Sequence, residues 1–223
     1  MNKKQIIYLS LSLSLLVSFL IWTLFVIFVD VKPLGVNSSN IGLSTMNLAF
    51  FNLTNTNLTL YTITDWLGLI SIAICVGFGV LGLIQLIKRK SLFKVDKDIL
   101  VLGIYYVIVI LMYLIFEMIP INYRPILIEG RMETSYPSST TLLVLSVAPT
   151  LSFEIHKRIK DRKIVILVDI VNISFALFMV IGRLLSGVHW LSDIIGSIIL
   201  SSGLFVLYLF VESKLNNQNG IQR

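Results

Sequence analysis

Gly182-Arg183-Leu184-Leu185-Ser186-Gly187-Val188-His189-Trp190-Leu191-Ser192-Asp193-Ile194-Ile195-Gly196 is the stretch on which the chain turns, because one long apolar run ends in it and another begins. It holds one of the protein's two histidines. Arg183 precedes that histidine and Asp193 follows it by one helical turn. Ionisable groups set between long apolar segments are expensive in lipid and mark functional positions. His189 and Asp193, at i and i+4, share a helix face. An aspartate there can accept a hydrogen bond from one imidazole nitrogen, orient the ring, and leave the other nitrogen as a nucleophile or base. Arg183 adds a planar fork of donors suited to phosphate oxygens. The same residues also read as a helix end with a capping Asp and an interfacial His, and the pattern alone leaves both readings open.

Outward from this stretch the chain is apolar. Its 223 residues are 56% hydrophobic and only 13% charged, with a mean hydropathy of +0.90. A soluble domain carries roughly 25% charged residues, so an all-α polytopic membrane protein with one membrane domain is expected. Cys75 is the single cysteine, which excludes an intramolecular disulfide. Six spans are predicted at about 6–29, 66–87, 99–119, 138–155, 164–185 and 190–211. The first follows Lys3-Lys4, but it is longer than the roughly 7–15 apolar residues of a signal sequence and lacks a small-residue cleavage site, so it reads as a retained helix. Residues 30–65 read as an outer loop. Within it, Leu43, Met46, Phe50 and Leu53 recur at helical spacing, which reads either as a short helix on the membrane surface or as irregular loop, and the pattern leaves both open. Residues 212–223 read as a polar cytoplasmic tail.

Six spans put both termini on one side. Of the 18 Lys and Arg, 14 fall on that side, leaving Lys32, Arg124, Arg131 and Arg183 on the other. The positive-inside rule makes the termini cytoplasmic. The net charge of +6 follows from this topology and points to no nucleic-acid partner. Arg124, Arg131, Arg183, His189 and Asp193 then share the extracytoplasmic face with Tyr136-Pro137-Ser138-Ser139-Thr140-Thr141, which opens the fourth span. A helix start offers free N–H groups and a positive dipole end, and hydroxyls add donors. Arginines, a helix start and a His–Asp pair on one face suit phosphoryl transfer through a phosphohistidine.

These residues resemble the phosphatidic acid phosphatase type 2 superfamily of membrane phosphatases. Its signature runs Lys-x6-Arg-Pro, then Pro-Ser-Gly-His, then Ser-Arg-x5-His-x3-Asp. Here the third part reads Gly182-Arg183-x5-His189-x3-Asp193, the second Pro137-Ser138-Ser139-Thr140, and the first Glu117-x6-Arg124-Pro125. The resemblance implies that His189 attacks phosphorus and carries the covalent phosphate while Asp193 orients and supports it. It implies that Arg124 and Arg183 hold phosphate oxygens, with Ser138 and Ser139 donating from the helix start. The family is metal-independent, and no metal or other cofactor is expected. The implied partner is a lipid phosphate substrate within the membrane.

The departures carry chemical consequences. Gly182 replaces a serine. Glu117 replaces a lysine, and Arg131 is a candidate to compensate for the lost positive charge. Thr140 replaces the histidine that protonates the leaving group, a change that removes general acid catalysis worth about 10²–10⁴-fold. His156 is on the wrong side to substitute, whereas Glu133 is a candidate acid. A lipid monoester expels a basic alkoxide, but a lipid diphosphate expels a phosphate monoester whose second ionisation lies near pH 6. The expected substrate is therefore an isoprenyl diphosphate, ahead of phosphatidate or phosphatidylglycerophosphate. The alternative expectation is a catalytically impaired member that binds a lipid phosphate or a membrane partner.

Overall fold

A computed structural model describes residues 1–221. The chain folds into helices α1 (Lys3–Phe28), α2 (Ser44–Thr54), α3 (Leu58–Arg89), α4 (Lys97–Met118), α5 (Ser139–Arg158), α6 (Arg162–Leu185) and α7 (Leu191–Ile221). Five of these, α1, α3, α4, α6 and α7, are long and apolar enough to cross a membrane. The predicted fourth span coincides with α5, which is less apolar. Its Thr141, Ser146, Thr150 and Glu154 are fully buried because α3, α4, α6 and α7 surround it. A helix enclosed by protein need not present an apolar surface, since its polar groups find partners inside. Thr150, for example, bonds the Val147 carbonyl at 2.8 Å and the Tyr106 hydroxyl at 3.0 Å.

Helix α7 packs along α1 and against α5. The Ser12 hydroxyl donates to the Gly203 carbonyl at 3.0 Å. At Gly203 the absent side chain leaves room for Leu15 and Leu16, the small-residue contact that lets membrane helices approach. An aromatic cluster of Phe19, Tyr105, Tyr106, Tyr136 and Tyr208 fills the core between α1, α4, α5 and α7. At the end remote from His189, Glu154 accepts from Tyr208 at 2.7 Å and pairs with Arg158 at 2.8 Å.

Element boundaries differ from the sequence reading in three places. Helix α3 starts at Leu58, inside the segment read as an outer loop, because Asn57 caps it by accepting from the Leu60 N–H at 2.9 Å. Helix α7 runs on through Ile221, so most of the segment read as a tail is helical; Gln222 and Arg223 lie outside the described residues. Within the segment read as an outer loop, Ser44–Thr54 forms helix α2, and a polar face anchors it. Asn47 accepts from the Ser192 N–H at 3.0 Å and donates to the Ser192 hydroxyl at 2.9 Å, docking α2 on the start of α7.

The 119–138 segment is more ordered than a polar loop. Tyr123 bridges to Thr134 and Ile128 to Arg131 as antiparallel pairs. Glu129 and Gly130, with φ of 50° and 75°, form the two-residue turn between them, the geometry that favours glycine at its second position. This hairpin carries Arg124 on one arm and Ser135 at the base of the other.

Candidate active site

The end of the bundle where α3, α5 and α7 begin and α4 and α6 end gathers the polar side chains. His189 sits in the short α6–α7 connection and is 4% exposed. Its Nδ1 lies 3.1 Å from the Ser135 carbonyl oxygen. A carbonyl only accepts, so Nδ1 carries the proton and Nε2 keeps its lone pair. Nε2 faces Nη2 of Arg183 at 3.4 Å. Burial, with Arg124 and Arg183 adding to it, holds the imidazole well below its ordinary range, so the ring is neutral at pH 7.

Asp193 does not bond His189 directly. Its Oδ2 is 3.8 Å from Nδ1, beyond hydrogen-bond length. Ser135 stands between the two: its hydroxyl donates to Asp193 Oδ2 and lies 3.1 Å from Nδ1. The carboxylate also accepts from the Trp190 N–H at 2.8 Å and from the Ser192 hydroxyl at 3.3 Å. It thus holds the N-terminus of α7 by reaching back to the residue before it, as the acidic partner of a capping box does. One carboxylate thus caps α7 and reaches the His189 ring through Ser135, so the two readings of the sequence do not exclude each other.

Arg183 is 1% exposed and Arg124 9%. Arg124 pairs with Glu133 at 3.2 Å and donates from Nε to the Thr134 carbonyl at 3.3 Å. Arg183 Nη1 lies 3.5 Å from Asp65 Oδ1 on α3. Both guanidinium groups sit over the Tyr61 ring, at 5.0 Å for Arg183 and 5.7 Å for Arg124. Among the described residues, Arg124 Nη1 and Arg183 Nε and Nη1 have no hydrogen-bond partner. Buried donors of this kind are costly, and an anion placed between the two arginines satisfies them.

The other expected site residues divide. Ser139 lines a polar pocket together with His189, Arg124, Ser135 and Glu117. It also lines a neighbouring apolar cavity of about 430 Å³ among α3, α4 and α5. Thr140 lines that second cavity and not the polar pocket, and it faces Gly68 of α3. Ser138 is turned away: its hydroxyl donates to Thr141 at 3.1 Å, and its carbonyl accepts from Ser197 at 2.8 Å. No side chain caps the start of α5, which leaves its first-turn N–H groups for an anion. Arg131 is exposed beside the hairpin turn and does not line the polar pocket, so it does not stand in for the missing lysine. Glu117 accepts from the Thr134 hydroxyl at 2.8 Å. Glu133, not Glu117, is the carboxylate paired with Arg124. His156 lies at the far end of α5, bonded to Asp169 at 2.7 Å.

Gly182 has a packing cause. A Cβ there would stand 2.7 Å from Thr64 Cγ2, so a serine would press α6 away from α3. Sequence reasoning missed Ser135, Tyr61 and Asp65. Ser135 carried no signal, and Tyr61 and Asp65 lay in the segment read as loop. Among the described residues no three His, Cys, Asp or Glu stand together as metal ligands.

The PAP2 superfamily profile matches residues 103–217. No curated protein matches the chain by sequence. Among solved structures, the fold is similar to that of the "first transmembrane PAP2 type phosphatidylglycerolphosphate phosphatase from Bacillus subtilis", with a TM-score of 0.65 and 19% identity over 91% of this chain and 96% of that one.

Proposed function

The chain belongs to the PAP2 superfamily, and from that premise we propose that it is a membrane phosphatase hydrolysing a lipid phosphate through a phosphohistidine on Nε2 of His189. The observation that carries this reading is the pair of buried arginines with unpartnered donors beside a neutral, tautomer-fixed imidazole. Arg124, Arg183 and the start of α5 bind the phosphoryl oxygens and stabilise the charge that develops on them. Nε2 attacks phosphorus, and the imidazolium that forms is held by the Ser135 carbonyl at Nδ1, with Asp193 supporting it through the Ser135 hydroxyl. Water then hydrolyses the N–P bond and returns neutral His189 and phosphate.

We assign six crossings, with enclosed α5 as the one that composition alone does not mark. The termini are cytoplasmic and the site extracytoplasmic, in keeping with the placement of 14 of 18 basic residues. The apolar cavity beside Ser139 suits a lipid chain.

The preferred substrate is an isoprenyl diphosphate, because its leaving group departs without full protonation and so depends least on the acid that position 140 lacks. Phosphatidylglycerophosphate, the substrate in the name of the Bacillus subtilis protein, and phosphatidate are the monoester alternatives. Thr140 is also the observation that favours the second reading, a protein that binds lipid phosphate without turning it over. The test is phosphate release by purified protein from a panel of isoprenyl diphosphate, phosphatidylglycerophosphate and phosphatidate. Release that is fastest on the diphosphate and lost in His189→Ala is expected. Binding of all three without release would establish the second reading instead.

A further inference from the structure

An alkoxide leaving group needs a proton that position 140 does not deliver, and another helix brings a carboxyl to the same place. Asp65 and Thr140 line one cavity. Thr140 faces Gly68, where an added Cβ would meet its Cγ2 at 3.3 Å. Asp65 lies about one turn before Gly68, toward the end of α3 that borders the site. Its Oδ1 is 3.5 Å from Arg183 Nη1, and Arg183 Nη2 is 3.4 Å from Nε2 of His189. One guanidinium therefore separates the carboxyl from the attacking nitrogen.

We propose that Asp65 is the general acid toward the lipid oxygen, serving from α3 the role that Thr140 cannot serve from α5; this rests on the phosphatase reading of the site. Attack and departure lie roughly in line through phosphorus. His189 borders the polar pocket and Asp65 the adjoining apolar cavity; in the proposed arrangement a phosphoryl group held by Arg183 lies between them. The lipid chain leaves on the cavity side. Other carboxyls are placed less well. Glu133 pairs with Arg124 and lines neither of these cavities, Glu117 borders the nucleophile's pocket, and Asp193 is buried behind His189.

The protons balance. When a phosphate takes Arg183 from its ion pair, the carboxyl is left beside a bound anion and takes up a proton. As the bond from Nε2 to phosphorus forms, the P–O bond to the lipid breaks, its electron pair stays on the lipid oxygen, and Asp65 delivers the proton there to give the alcohol. The carboxylate then accepts a proton from the water that attacks the phosphohistidine, and gives it up to solvent as phosphate leaves and the ion pair with Arg183 re-forms.

The experiment compares kcat/KM on phosphatidate and on isoprenyl diphosphate for wild type, Asp65→Asn, and Asp65→Asn combined with Thr140→His. Asp65→Asn should lower the phosphatidate value by about 10²–10⁴-fold and the diphosphate value by less than about tenfold. Histidine at position 140 should restore phosphatidate turnover in the double variant. Equal losses on both substrates, no loss on either, or no rescue in the double variant would overturn the assignment. A wild type inactive on both substrates would overturn the phosphatase reading itself, and the assignment with it.

Discussion

Replacing Ser135 by alanine separates the backbone's role from the side chain's at His189. Ser135 is 2% exposed. Its hydroxyl donates to Asp193 and approaches Nδ1 at 3.1 Å. Its carbonyl, which alanine retains, also accepts from Nδ1 at 3.1 Å. The variant therefore keeps the tautomer but disconnects Asp193 from the ring. A hydrogen bond to a charged group is worth about 1.5–3 kcal/mol. Asp193 keeps the Trp190 N–H and the Ser192 hydroxyl, so the fold should survive with a stability loss inside that range. If the bond is fully expressed in the transition state, kcat falls by about 10- to 150-fold. Phosphate release and thermal unfolding in detergent measure the two effects. A kcat within about twofold of wild type would show that Asp193 does not act through Ser135. A variant as inactive as His189→Ala would show that the carbonyl does not hold the ring.

Three further outcomes are expected. Tyr61→Leu removes the ring beneath both arginines; at about 0.5–2 kcal/mol for a cation–π contact, KM should rise by about 2- to 30-fold with a smaller effect on kcat. In a His156→Asn background, nitrogen NMR should find His189 as the neutral Nδ1–H form at pH 6, since burial and the arginines lower its pKa. Because such a base binds fewer protons folded than unfolded, its contribution to stability is complete above about pH 6.5 and is lost as the pH falls below it. In intact cells, a cysteine replacing Glu129 at the hairpin tip should be labelled by an impermeant reagent, and one replacing Lys160 between α5 and α6 should be protected; the reverse would turn the site to the cytoplasm.

The helices and half of the site were legible for different reasons. Apolar runs bounded by charges announce α1, α4, α6 and α7 wherever lipid must be faced. Arg183, His189 and Asp193 stand out because one helix end and one helix start bring them together within a short stretch. Helix α3 starts earlier than its hydropathy suggests because Thr64 is buried against protein, Tyr61 lies under the two arginines and Asp65 reaches toward Arg183. Tyr61 and Asp65 therefore look like loop residues in sequence. Ser135 was illegible because its role depends on the hairpin register that brings its carbonyl to Nδ1, and serine is common in loops. The direct His–Asp contact expected from i,i+4 spacing fails because the α7 N-terminus claims the carboxylate. Arg131 fails because the two-residue turn at Glu129-Gly130 points it away from the pocket.

The central claim is a covalent phosphate on His189, and rapid mixing with isoprenyl diphosphate followed by an alkaline quench and mass spectrometry of the peptide containing residue 189 tests it most directly. Wild type should carry phosphate on His189 during turnover and lose it as substrate is exhausted, while His189→Ala should carry none and release none. Steady phosphate release from His189→Ala, or turnover by wild type without a phosphorylated peptide at any time point, would contradict the mechanism.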